Sequence, residues 1–276
     1  MVITDYYFNE GEKPLDRIPQ DGGFASIFRT IACIGDSLSS GEFEVPNPEG
    51  DVFFFDEYDY SWGQFMARRL GSKVYNFSCG GMTARVYLES FAKEKNFFDP
   101  SLKAQAYIIA LGVNDVSQVM NGELKLGDEK DIITDDENAK PETFIGYYTA
   151  IISRYRKISP NAKFFLMTCP HTDYDTPERS KLYDRHRDIL SMLAERLPDT
   201  YLMDFRTYAP EYDIEFRKNC QLFGHLSPTG YKFTADMVMA YMDYIIRKNP
   251  NDFKYVGLVG TEREKHIPID RTNTLR

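Results

Sequence analysis

Short apolar runs that alternate with amphipathic helical stretches constrain this chain most strongly. Ile31–Ile34, Val74–Phe77, Tyr107–Leu111, Phe164–Met167 and Tyr201–Phe205 are each too short for a helix and are bounded by Gly, Pro or polar residues. Between them apolar residues recur at helical spacing: Trp62, Phe65, Met66 and Leu70, then Phe144, Tyr148, Ile151, Ile152 and Tyr155, then Leu182, Ile189, Leu190, Leu193 and Leu197. At that spacing Trp62 reads as core. Thr176-Pro177 and Ser227-Pro228 each put a capping hydroxyl before a proline at the first helical position. The helix begun by Ser227 carries Tyr231, Ala235, Val238, Met239, Met242, Ile245 and Ile246 as a packing stripe. Repeated strand–helix units predict an α/β fold, with a mainly parallel five-stranded sheet between helical layers, right-handed crossovers and ligands at the C-terminal strand ends.

Nothing in the 276 residues reads as a linker, and 42% hydrophobic content supplies a sizeable core, so residues 1–276 are expected to form a single domain. A net charge of −9 disfavours nucleic acid and anionic lipid, which need clustered Lys and Arg, and suits small uncharged or cationic substrates. Cys33, Cys79, Cys169 and Cys220 are widely spaced, with no Cys-x-x-Cys pair and no His at ligand spacing, so no metal site and no cofactor is expected. Reduced core thiols suggest the cytoplasm. The start, Met1 to Gln20, lacks the basic and apolar stretches of an export signal, and no segment approaches ~18 continuous apolar residues. A soluble intracellular protein is expected, with no membrane partner.

Two segments fall outside the alternation. The acidic, aromatic Glu42–Tyr60 and the stretch Leu126–Lys140 read as loops over the C-terminal edge of the sheet. Within the first, Phe53 to Tyr60 reads as a lid, a sugar platform or a docking patch for a second subunit. Near the end, the apolar Tyr255–Val259 reads as an edge strand or as an arm joining a homo-oligomer.

The polar residues that end the apolar runs carry the chemistry. Gly35-Asp36-Ser37 follows the first strand, Gly80-Gly81 the second and Gly112-Val113-Asn114-Asp115 the third, while Gly224-His225 precedes the capped helix at Ser227. Acyl transfer needs a nucleophile, a base and donors aimed at the developing oxyanion. Ser37 is the nucleophile candidate, because a hydroxyl in a turn after a strand projects into a cleft. His225 is the base candidate. The N–H groups of Ser37 and Gly81 with the side-chain amide of Asn114 are the oxyanion-hole candidates. His171, after Cys169-Pro170, reads as a loop histidine, and His186 and His266 lie in a helix and in the tail.

In these blocks the chain resembles the SGNH hydrolase superfamily, the GDSL-type esterases and lipases. The blocks run Ile34-Gly35-Asp36-Ser37-Leu38-Ser39, Asn76-Phe77-Ser78-Cys79-Gly80-Gly81-Met82-Thr83, Leu111-Gly112-Val113-Asn114-Asp115, and Gly224-His225-Leu226-Ser227-Pro228-Thr229-Gly230-Tyr231. The resemblance spans about residues 30–248, leaving an N-terminal extension, 1–29, and a tail, 249–276, outside it. It implies a flavodoxin-like three-layer α/β/α sandwich and a metal-independent serine hydrolase of carboxylic esters. In that reading Ser37 attacks, His225 is base and then acid, and Gly81 and Asn114 hold the oxyanion. Short acyl groups on a sugar or small metabolite are the expected substrates.

One position departs from the family. Members carry an Asp three residues before the His, where this chain has Leu222. Asp204, Asp213, Glu215 or a backbone carbonyl are the candidates to orient His225, with Asp204 favoured as a cap residue instead. Leu222 also motivates the alternative of a degenerate member that binds acylated ligands or a partner without turnover. A third reading, a nucleotide- or phosphate-binding α/β protein, finds no Gly-rich fingerprint with the usual spacing or lysine in this chain.

Overall fold

The computed structural model describes residues 7–134, 139 and 141–268. Its nine strands are β1 (Thr30–Gly35), β2 (Glu42–Pro46), β3 (Val52–Asp56), β4 (Lys73–Ser78), β5 (Ala106–Ala110), β6 (Lys163–Met167), β7 (Thr200–Met203), β8 (Gln221–Leu222) and β9 (His225–Leu226). The helices that matter for the site are α1 (Ser37–Ser40), α2 (Trp62–Leu70), α3 (Val113–Met120), α4 (Phe144–Ile158), α5 (Pro177–Arg196), α6 (Ile214–Cys220) and α7 (Pro228–Lys248).

The five expected strands form one parallel sheet in the order β4-β1-β5-β6-β7. The chain starts in the sheet at β1, steps to one side and then crosses to the other. That is the flavodoxin-like order, whose switch point opens a crevice at the C-terminal ends of β1 and β5.

Both faces of the sheet are covered, which is why the central strands read as unbroken apolar runs. Ile34, Tyr107, Ile109, Phe164 and Leu166 pack with Phe144, Tyr148 and Ile151 of α4 and Ile189, Leu190 and Leu193 of α5. The intervening Ile31, Cys33, Ile108 and Phe165 pack with Trp62 and Met66 of α2 and the α7 stripe Tyr231, Ala235, Val238 and Met242. Trp62 is fully buried, as its spacing implied. Thr176 and Ser227 cap α5 and α7, accepting the N–H groups of Arg179 and Gly230. The four cysteines are unpaired thiols. Among the described residues, no helix is long and apolar enough to cross a membrane.

Glu42–Tyr60 is not a loop. Glu42–Pro46 and Val52–Asp56 pair as an antiparallel hairpin, followed by a 3-10 turn over Tyr58–Tyr60. Glu-Phe-Glu-Val has the period of two that a strand requires, an alternation hidden by its acidic content. Asn47 closes the hairpin by accepting the Asp51 N–H through its side chain. In the Leu126–Lys140 stretch, Glu129–Asp131 form a 3-10 turn with a capping box, and residues 135–138 and 140 lie outside the described ones.

Tyr255–Val259 is not an edge strand either. Val256–Leu258 form a 3-10 turn, Val256 and Val259 are buried against the domain, and Gln105 donates to both their carbonyls at 3.0 and 3.1 Å. A buried glutamine amide satisfies the turn's carbonyls, so the segment needs no sheet neighbour.

Candidate active site

The residues singled out in the sequence gather at the switch-point crevice. Ser37 is the first residue of α1, directly after β1, and is half-buried. Asp36 caps that helix, its side chain accepting the Leu38 N–H at 3.0 Å. As the first helical residue, Ser37 has a backbone N–H with no intrahelical acceptor, which leaves it for a ligand.

Gly81 follows β4 with φ +70°, exposed, and a side chain there would meet only open space. Asn114 stands in the first turn of α3, after β5, and gives one amide hydrogen to the Met82 carbonyl at 3.2 Å. The second amide hydrogen of Asn114 remains for another acceptor. Asp115 ties these two blocks together by accepting the Ala84 N–H at 3.0 Å. Burial pushes both Asp36 and Asp115 up to about 7, and each keeps one buried oxygen without a partner among the described residues. Gly112 is required by close approach, since any side chain there would run into the imidazole of His186. His186 is fully buried and packs between Phe144 and the Leu111 carbonyl, to which its Nε2–H donates at 3.2 Å.

His225 opens β9, which pairs with β8 across the turn Phe223-Gly224. Both of its ring nitrogens face carboxylates from β2. Nδ1 lies 2.9 Å from Glu44 Oε2, and Nε2 lies 3.2 Å from Glu42 Oε1. The Gly224 N–H donates to the same Glu44 oxygen at 2.8 Å. Hairpin register explains why both acids reach the ring: Glu42 and Glu44 lie two apart on one strand face, opposite Asp56 and Phe54. Phe54 meets the imidazole edge-on, with centroids 5.8 Å apart.

None of the acids weighed from the sequence touches His225. Asp204 caps the helical turn Phe205–Tyr208, accepting the Thr207 N–H and the Thr168 hydroxyl. Asp213 caps α6, and Glu215 accepts from the Asn219 amide. Among the described residues no backbone carbonyl takes the place either. Glu44 holds it, and the only sequence signal for this was the acidic period of two in Glu42-Phe43-Glu44, just after the Ser37 block. His171 is exposed in its loop.

Burial raises Glu42 above the ordinary carboxylate range, with Asp56 and Glu44 adding to the shift and His225 opposing it. Ser37, Gly81 and Asn114 thus follow three neighbouring strands at one edge of the sheet, and His225 stands among carboxylates of the β2–β3 hairpin.

A model of the GDSL-like lipase/acylhydrolase family matches residues 33–233. No curated protein sequence matches the chain. Among solved structures, it is similar to a family two carbohydrate esterase from Clostridium thermocellum in complex with cellohexaose, with TM-score 0.53 and 16% identity over 81% of this chain and 65% of that one. A carbohydrate esterase family 2 enzyme with a carbohydrate binding domain from Corynascus thermopiles (Myceliophthora fergusii) gives TM-score 0.53 and 16% identity, covering 79% of this chain and 66% of that one. The psychrotrophic esterase EstA from Pseudoalteromonas sp., inhibited by monoethylphosphonate, gives TM-score 0.51 and 16% identity over 79% of this chain and 98% of that one. At such identities the likeness is one of fold.

Proposed function

The chain belongs to the GDSL-like lipase/acylhydrolase family and is a carboxylic ester hydrolase, and from that premise we propose that it cleaves short acyl esters through Ser37 and His225, with Glu44 positioning the imidazole. The observation that carries this reading is the 2.9 Å contact from His225 Nδ1 to Glu44, an acid supplied by β2 where Leu222 leaves the expected position empty of charge.

Each role follows from placement. With Nδ1–H held by Glu44, the tautomer is fixed and the Nε2 lone pair is the one that accepts the Ser37 proton. Ser37 Oγ then attacks the ester carbonyl, and the oxyanion is received by the Ser37 and Gly81 N–H groups and the free amide hydrogen of Asn114. Collapse of the intermediate releases the alcohol, protonated by His225, and leaves an acyl-serine. Water, deprotonated by His225, attacks the acyl-serine and returns the free serine.

The acidic surroundings of His225 and the exposed aromatic rings of Phe54 and Phe223 beside it favour an uncharged or cationic alcohol half, such as a sugar, over an anionic one. The reading as a binder without turnover rested on Leu222, and Glu44 supplies the acceptor whose absence motivated it.

The test is hydrolysis of p-nitrophenyl acetate, butyrate and octanoate by wild type and Ser37→Ala, with fluorophosphonate labelling mapped by mass spectrometry. Turnover and label that both depend on Ser37, with acetate or butyrate preferred, are expected. A folded protein with neither would transfer belief to the binding reading.

A further inference from the structure

Nε2 of His225, the nitrogen that must take the Ser37 proton, faces a carboxylate instead. Among the described residues, no hydrogen bond joins Ser37 Oγ to His225; the ring's Nε2 is 3.2 Å from Glu42 Oε1. The second carboxylate oxygen, Oε2, lies against Gly80, so close that a side chain on Gly80 would collide with it. Gly80 directly precedes the oxyanion donor Gly81. The Glu42 carboxylate therefore bridges from the imidazole to the oxyanion side of the cleft.

That is the position of a reaction product. Ester hydrolysis leaves a carboxylate beside the base, and a carboxylate of this chain already lies there, between His225 Nε2 and Gly80. We propose that Glu42 is an internal product mimic, which fills the ester's seat in the resting site and competes with substrate and with carboxylate product for it. The inference rests on the esterase reading above.

The way Glu42 is held supports this. Its backbone is fixed, because it pairs with Asp56 across the hairpin and its carbonyl accepts the Tyr231 hydroxyl at 2.8 Å. Among the described residues the carboxylate is held by His225 alone, and it is pushed by its neighbours Asp56 and Glu44. A rotation of one side chain would clear the seat at the cost of a single partly buried contact to His225, with no movement of the hairpin. Gly80 fits the same picture, since a residue with any side chain there would exclude both the carboxylate and an ester.

The experiment is steady-state hydrolysis of p-nitrophenyl acetate by wild type, Glu42→Ala and Glu42→Gln, with sodium acetate as added inhibitor and melting curves as a fold control. Both variants should lower KM by about two- to fivefold, the range of one partly exposed polar contact, with kcat equal or higher. Acetate should inhibit Glu42→Ala about tenfold more strongly than wild type, because it enters the vacated seat. A KM that is unchanged or raised in both variants, or equal inhibition by acetate, would overturn the proposal. Should Glu42→Ala fail to fold, Glu42→Gln decides by its KM alone. Fluorophosphonate separates the two claims: labelled Ser37 with an unchanged KM sinks the product mimic only, whereas no label in wild type or either variant sinks the esterase reading. Label appearing faster in the variants than in wild type supports both.

Discussion

The Tyr231 hydroxyl lies 3.1 Å from the carbonyl oxygen of Ser37 and 2.8 Å from that of Glu42, so one phenol joins the first residue of α1 to the first residue of β2. Tyr231 sits one turn into α7, three residues after the proline that follows Ser227, and its ring is fully buried. The last motif block thereby braces the first. Tyr231→Phe keeps the ring but removes the one hydroxyl hydrogen that two half-buried carbonyls share, which costs about 1 kcal/mol. Urea denaturation should show that loss, and kcat should fall as the Ser37 turn loosens. An unchanged urea midpoint would mean that water replaces the phenol at no cost.

Glu44, proposed to act through His225, should reveal itself in kcat rather than in binding. Removing the acceptor that fixes a catalytic imidazole lowers turnover by up to about 10⁴-fold in the serine-protease precedent. Glu44→Ala is expected to lower kcat by about 10²–10⁴ with KM little changed, and Glu44→Asp to recover part of the loss. The comparison is Asp204→Ala, which removes a helix cap worth about 1 kcal/mol and should leave kcat untouched. Equal kcat losses in both variants would return the orienting role to Asp204.

Asn114→Ala takes away one proposed oxyanion donor along with its bond to the Met82 carbonyl. Loss of one such donor costs about 10²–10³ in kcat. Single-turnover measurement of p-nitrophenol release should place the deficit in the acylation step. A deficit confined to KM would assign Asn114 to binding alone.

His186 makes stability depend on pH. Burial holds it down to about 4, whereas in the unfolded chain it titrates near the ordinary ~6.5. The unfolded state therefore takes up the proton first as pH falls. Its stabilising contribution is complete above about 6.5 and is lost progressively down to about 4, by up to about 3 kcal/mol. Asp36 and Asp115, both pushed up to about 7, act with the opposite sign: folded protein binds their protons first, so their cost grows as pH rises from about 4 to 7. Subtracting the pH–stability curve of His186→Phe from that of wild type isolates the histidine, and a flat difference between pH 4 and 7 would refute its neutral burial.

Much of the site was legible because its determinants are local. Ser37, Gly81 and Asn114 each follow their own strand by a few residues, and parallel strands in one sheet bring all such ends to one edge. The Thr176 and Ser227 caps and the α7 stripe are likewise written in neighbouring positions. The hairpin was masked for a different reason: acidic residues alternating with aromatics resemble a solvated loop until the period of two is counted, because half of that strand pair stays exposed.

The sequence by itself determined the strand–helix alternation, the capped helix starts and the four polar blocks, since each depends on residues within a turn or two of one another. Only the tertiary structure decided what orients His225 and what faces its other nitrogen. Glu44 and Glu42 lie about 180 positions away in the chain, on a strand whose partner in the site is another element's turn. A contact across that distance leaves no periodicity to read; it exists because the β2–β3 hairpin folds over the switch-point crevice and aims one face of alternate residues into it.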